Sequence, residues 1–331
     1  MRRGEEPMVP EAGFRSYYGQ PIIKAPVWHE PHMPVYLYLG GLSGAAATMA
    51  AVAGLAGTPR LALTARVTAA LGAAAGAGFL VAELGRPERF LNMLRVFKPT
   101  SPMSMGSWIL AAHSGATGLA AASALAPLLP ARRTPAFLRA PAVAAVLPVA
   151  GDASAAAAAV ITGPLMATYT AVLLADTAVP AWHEARRELP FLFAGSALAS
   201  AGAAGMLTTP RAAAAPARAM GALGAAVETA AGALMERRLG LVGEPYRTGE
   251  AGRRMRVARA LTVGGGLLAV VAGRSRVLTA LSGAALTAGA LYTRFGLLAA
   301  GRASAADPRY TVVPQRLRLE AGQAASVPAG S

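Results

Sequence analysis

Cysteine is absent from the 331 residues, so the chain has no disulfide, no thiolate zinc site and no iron–sulfur ligation of its own. Histidine is scarce, at four. A b-type haem pair needs histidines inside helices, and His113 alone lies plainly within an apolar stretch, so no haem and no other metal site is expected. Charged residues make up 14%, against roughly 25% in soluble domains, which is too little polar surface for two globular domains. Aromatics are only 6%. No phosphate loop or dinucleotide fingerprint follows a strand, since Gly264-Gly-Gly266 lies in an apolar helix.

What is abundant is small and apolar. Hydrophobic residues reach 54%, largely Ala, Leu and Val, and they are accompanied by 37 Gly. Small residues let helix backbones approach closely inside a bilayer. A bilayer core of about 30 Å takes roughly 20 such residues per helix. The candidate spans are 35–57, 62–84, 104–129, 153–176, 189–209, 215–236, 256–272 and 277–299. The fold expected is all-α: a polytopic membrane protein with about eight transmembrane helices in a bundle. It divides into a polar N-terminal arm (1–34), an eight-helix body (35–301) and a C-terminal tail (302–331) whose end, from 321, has a disordered composition. Residues 135–150 are also apolar and could lengthen the fourth helix, lie in the interface, or add a ninth span. The first 30 residues have no apolar core, so the arm is expected to remain in the mature chain.

The net charge of +15 falls between the apolar stretches, as in the short loops of a multi-span protein, and not as a nucleic-acid surface. With the N-terminus inside, the inner segments hold about 21 basic residues against about 8 outside. Both termini are therefore expected on the cytoplasmic side of the cell's inner (plasma) membrane. The long loop after the second span carries Phe90, Leu91, Leu94 and Phe97 at helical spacing, with Arg89, Asn92 and Arg95 on other faces. It reads either as an interfacial helix on lipid phosphates or as a docking platform for a soluble partner. The 178–188 loop and the arm complete that platform, and the basic 237–256 loop could bind anionic lipid.

This loop reads Glu83-Leu-Gly-Arg-Pro-Glu-Arg-Phe90, then Pro99-Thr-Ser-Pro-Met-Ser104 and Gly106-Ser-Trp108. With Pro34-Val-Tyr-Leu-Tyr-Leu-Gly-Gly-Leu-Ser-Gly44, Tyr169-Thr-Ala-Val-Leu-Leu-Ala-Asp176, Pro180-Ala-Trp-His183 and Leu189-Pro-Phe191, it resembles the membrane subunit of the NrfD/polysulfide-reductase family from about residue 17 to 310. It looks most like the branch beside molybdenum- or tungsten-dependent formate dehydrogenases. The resemblance implies an eight-helix anchor without haem that reacts with quinone (menaquinone or ubiquinone). Electrons would pass through a partner iron–sulfur subunit and a molybdopterin-type catalytic subunit, so the chain would be a non-autonomous part of an oxidoreductase. Two positions depart from the family's usual pattern: Glu83 stands where Asp is common, and Ala171 where Gly is frequent.

Under the inferred topology His29, Glu30, His32, Glu83, Trp108, His113, Tyr169, Asp176, Trp182 and His183 all fall in the inner half of the membrane. A quinone headgroup needs such a mixture: donors for two carbonyl oxygens, an acid or His to exchange protons, and apolar walls. The expected quinone-binding residues are Tyr169, His29, His32, His113, Trp108, Glu83 and Asp176, with Tyr169 first as a phenolic donor; interfacial tyrosines and solvated pre-helix turns are the plain alternatives. Glu83 and Asp176 could exchange protons with the inner aqueous phase, or simply pair with Arg86 or Arg186.

Glu228 lies among apolar neighbours, where an acid should face a polar cavity or pair with another helix. Its readings are a proton path, or a bond to Arg66 or Arg294. Two other functions stay open on sequence alone: a secondary transporter using Glu228, Arg66 and Arg294 along glycine-rich helices, and a passive anchor without a quinone site.

Overall fold

The computed structural model describes residues 22–130, 135 and 140–326. Residues 1–21, most of 131–139 and the last five residues lie outside the described part, and with them the start of the arm and the end of the tail. Among the described residues the regular structure is helical, without strands.

Several helices begin at prolines, and some are followed by glycines. Pro59, Pro102, Pro141 and Pro180 stand in first turns, where the missing N–H is no loss. Gly57 and Gly85 follow helix ends with positive φ angles, which a residue without Cβ adopts freely. The long helices are α1 (His32–Leu55), α2 (Pro59–Glu83), α3 (Pro102–Leu125), α4 (Pro141–Ala157) continued through a π-turn (Ala158–Thr162) into α5 (Gly163–Ala175), α7 (Leu189–Thr208), α8 (Ala215–Arg238), α9 (Gly249–Val271) and α10 (Arg276–Ala306). Short α6 (Pro180–Glu184) precedes α7, and α11 (Arg309–Ser326) forms the tail. Counting α4–α5 as one, eight long helices make the body. The apolar stretch from 141 therefore lengthens the fourth helix and does not form a ninth span.

Six of the eight are long and apolar enough to cross a membrane: α1, α2, α3, α4–α5, α7 and α9. α8 and α10 fall outside that set, and each carries a charge within its length, Glu228 in one and Arg294 in the other. Both are packed into the same body, α8 between α7 and α9, and α10 against α9, α7 and α1. The helices form two groups. α7, α8, α9 and α10 close a ring, while α2 and α4–α5 pack on α1 and α3 packs on α2 and α4–α5; α1 also touches α7 and α10.

Glycines set the closest approaches. A Cβ on Gly195 would stand 2.4 Å from the backbone nitrogen of Glu228, and one on Gly224 2.2 Å from that of Ala199. No side chain fits between α7 and α8 there, which is the close small-residue packing available in lipid. The π-turn turns the Ala159 carbonyl toward Thr48, whose hydroxyl donates to it at 3.0 Å, and Thr162 toward α3. The loop after α2 forms a 3-10 helix, Pro87–Leu94, where a short interfacial helix is expected. The tail lies on the chain's own surface: Arg318 donates to Glu184 on α6 at 3.1 Å, and Arg309 to Glu244 at 3.1 Å. Its helix runs to Ser326, so disorder is not what residues 321–326 adopt.

Candidate functional site

At the end of the body where α1 begins and α2 finishes, a cavity of about 370 Å³ is lined by Trp28, His29, Glu83, Tyr36, Ser107 and Tyr169, with apolar walls from Met33, Leu80, Met93, Met103 and Leu173. The 3-10 turn brings Met93 over it. α3 delivers Gly106 and Ser107, and α5 delivers Tyr169. Tyr169 is 8% exposed, and its hydroxyl is buried with no hydrogen-bond partner. A phenol group seldom remains so without a ligand or a water to meet it. Gly106 makes room for this ring: a Cβ there would stand 2.4 Å from Tyr169 Cε2.

The acid of the chamber is Glu83, the last residue of α2. The His29 backbone N–H donates to its Oε1 at 2.7 Å, and His29 Nδ1 lies 3.2 Å from the same oxygen. His32 Nδ1 stands 3.6 Å from Oε2, an ion-pair rather than a hydrogen-bond distance. The Glu83 side chain is 10% exposed while that of His29 is 73% exposed, so the pair runs from solvent to the chamber wall. The expected alternative, a bridge from Glu83 to Arg86, does not form. The reason is geometric: Gly85 turns the chain away from α2, and the pre-helix segment fills the place.

That segment is fastened at three consecutive residues. Trp28 stacks on Trp182 of α6 with ring centroids 5.4 Å apart. His29 holds α2. Glu30 accepts from Arg254 of α9 at 3.0 Å and from Arg302 of α10 at 3.3 Å, and Arg302 also donates to the Trp28 carbonyl. Trp182 donates to the Leu297 carbonyl at 2.8 Å. Tyr246 is buried and donates to the Ala181 carbonyl at 3.0 Å, and burial pushes its phenol well above the usual range. A smaller apolar hollow of about 170 Å³, between α2, the 3-10 turn and α3, shares Leu80, Met93 and Ser107 with the chamber.

Of the residues expected to bind quinone, the structure gathers Tyr169, His29 and Glu83 at one cavity, with His32 behind the carboxylate. It does not bring Trp108, His113 or Asp176 there. Trp108 follows Gly106 and Ser107, but the helical turn sends it outward, where its Nε1 donates to the Val96 carbonyl at 3.3 Å and it meets Phe97 edge-on at 6.0 Å. His113 is wholly buried between Ser43 Oγ and Thr162 Oγ1, both at 2.9 Å. Ser43 spends its proton on the Ala69 carbonyl at 2.6 Å, so the imidazole bearing its proton on Nε2 satisfies both neighbours. Asp176 caps α5 and is exposed; Arg186 pairs with Glu184 at 3.6 Å instead. Trp28 and Tyr36 line the chamber and are left out by sequence reasoning, Tyr36 although it stands in the Pro34–Gly44 stretch.

The acid of the second group stands apart. Glu228 accepts from Thr293 Oγ1 at 2.7 Å. It makes no ion pair within 4.0 Å with either arginine proposed for it. Arg66 binds Asp152 at 2.9 Å across α2 and α4, while Arg294 acts on Glu228 electrostatically and lies over the Phe193 ring, 3.7 Å from its centroid. The basic 237–256 segment is largely engaged within the chain: Arg238 with Glu188 at 2.5 Å, Arg254 with Glu250 at 2.6 Å, Arg247 with the Gly240 carbonyl at 2.9 Å. By contrast Arg86, Arg89, Arg95 and Lys98 of the 85–103 loop have no ion pair among the described residues.

These features define an integral membrane protein, an all-helical body with a partly polar chamber near one end. The family described as polysulphide reductase, NrfD, matches residues 21–244, and the chain belongs to that family. The match holds every residue of the chamber, while α9, α10 and α11 lie beyond it. No curated protein matches the chain. NrfD proteins are membrane subunits that pair with an iron–sulfur subunit in oxidoreductase complexes, and this chain is a membrane subunit of that redox kind.

Proposed function

We propose that the chain is the quinone-reactive subunit of its complex, exchanging electrons between the partner's iron–sulfur centres and membrane quinone at the Tyr169 chamber. The observation that carries this is the unpartnered Tyr169 hydroxyl in a chamber whose only acid is joined to an exposed histidine. The residues present fit a quinone ring. Tyr169 would donate to one carbonyl oxygen, Met33, Leu80, Met103 and Leu173 would hold the ring faces, and Trp28 would exclude bulk water. Quinone, when bound, supplies the two-electron acceptor or donor. The chain's own part is to place a donor at an oxygen and to move protons: His29 takes one from water and Glu83 carries it to the chamber.

The partner is proposed to dock at this end, over the 85–103 loop, whose four unpaired basic side chains suit an acidic surface, with a molybdopterin-type subunit of the formate dehydrogenase kind behind it. By the distribution of basic residues this end faces the cytoplasm.

Replacing Tyr169 with Phe in the assembled complex tests the reading. Loss of one catalytic hydrogen-bond donor costs about 10²–10³ in rate where it acts on developing charge, so quinone reduction should fall strongly while the partner still reduces a soluble dye. Quinone reduction unchanged in Tyr169→Phe would leave the chain a passive anchor. A transporter would instead work without any iron–sulfur partner, which reconstitution of the isolated subunit measures.

A further inference from the structure

The ring α7–α10 encloses a polar cluster for which the quinone chamber has no use. Glu228 is 5% exposed; Oε1 takes the Thr293 hydrogen bond, and Oε2 has no partner. Thr262 Oγ1 on α9 and Arg294 Nε and Nη1 on α10 are likewise buried without partners. Ser196 Oγ on α7 faces Glu228 without a hydrogen bond of ordinary geometry. Unmatched polar groups are rare in folded proteins, and several converging from four helices mark a place where something else supplies the bonds.

Space and charge identify what that is. A void of about 30 Å³ is lined by Glu228, Thr229, Thr262, Thr293, Glu236 and Arg259. A water needs about 10–15 Å³ measured in this way and two to four polar partners, and both conditions are met. A metal cation is opposed by Arg294, and an anion by Glu228. The void leads along α8 from Glu228 to the Glu236–Arg259 ion pair, two turns and about 12 Å nearer the helix end. There the Arg259 side chain is 48% exposed. This is the same end of the body as the chamber.

We infer that Glu228 is a proton-exchange site inside the membrane body, connected by held water to the aqueous phase at the Glu236–Arg259 mouth. A hydronium at the mouth gives up its proton through the water to Glu228 Oε2 and remains as water; the return follows the same route. Among the described residues, the charged or titratable groups facing the site are Arg294 from α10, Glu236 from α8, Arg259 from α9, and Tyr38 from α1 through its interaction with Arg294. α7 contributes the Ser196 hydroxyl.

The test uses infrared difference spectroscopy of the purified complex in lipid, stepped between acid and alkaline buffer, in H₂O and D₂O. A protonated-carboxyl band that shifts in D₂O should be present, should vanish in Glu228→Gln, and should exchange more slowly in Thr262→Val. Thr262→Val keeps every charge and serves on its own if Glu228→Gln fails to assemble. A wild-type spectrum without an exchangeable carboxyl band overturns the inference, as does a band untouched by Glu228→Gln or an exchange rate unchanged by Thr262→Val. None of these readouts involves quinone, so Tyr169→Phe and this experiment succeed or fail separately.

Discussion

Gly106 and Tyr169 belong to different motifs more than sixty residues apart, yet one exists for the other. The ring of Tyr169 fills the place that a Cβ on Gly106 would take. Gly106→Ala is therefore expected to push the phenol into the chamber. The overpacking should cost about 1–3 kcal/mol of stability, read as a lower Tm of the solubilised complex, and the KM for quinone should rise. A variant with a lower Tm but an unaltered KM would mean that the ring is free to move aside. At this scale sequence reading is uneven for a definite reason. Tyr169, His29 and Glu83 are legible because polar residues beside long apolar runs are conspicuous. Their partnership is not, because His29 and Glu83 meet across 54 residues whereas Arg86, the neighbour in sequence, is turned away by Gly85. Trp108 is the opposite case: adjacent in sequence to two chamber residues, it is rotated out by the helix period. Tyr36 is hidden by its setting, a tyrosine among apolar residues that reads as core.

Helices are legible where hydropathy is uniform and misjudged where they become amphipathic. α9 begins at Gly249 and α10 extends to Ala306, beyond the apolar stretches 256–272 and 277–299. The added turns carry Arg253, Arg254 and Arg302, and two of these arginines are paired with Glu30. The fourth helix conceals its π-turn, since nothing local in Ala158–Thr162 announces one; its register is settled by Thr48 and His113 on other helices. α10 also carries the seat of α6. A Cβ on Gly301 would lie 2.0 Å from Trp182 Cε2, with the indole pinned to the Leu297 carbonyl and fully buried. Gly301→Ala is expected to destabilise by about 3 kcal/mol, the upper end of ordinary overpacking, because neither helix can withdraw. Thermal unfolding followed by tryptophan emission would report it, and a Tm equal to wild type would show that α6 is loosely held.

For the molecule as a whole, the eight long helices return the chain to the side from which it entered, as the Glu30–Arg302 contact records directly. Reporter fusions at the two termini should accordingly show the same accessibility, and by the excess of basic residues they should both be cytoplasmic. Opposite accessibility of the two would contradict the eight-helix count, and common exposure on the outer side would reverse the assigned orientation alone. The basic residues that suggest this orientation have two fates in the structure. Arg238 at the end of α8 and Arg254 and Arg259 in α9 tie separate parts of the chain together, and those between α2 and α3 have no ion pair among the described residues, a distinction that composition does not contain.

The fastening of Trp28, His29 and Glu30 to three separate parts of the body has a bearing on traffic. A segment bolted at successive residues is a poor flap. On the quinone reading proposed above, a bulky carrier would gain nothing from the watery side, and its doorway would be sideways, from among the lipid tails, past the greasy hollow that adjoins the chamber between α2 and α3. On that reading only something as small as a proton would pass by way of the exposed imidazole, so fuel and charge would arrive by different doors with the bolted segment as the wall between them.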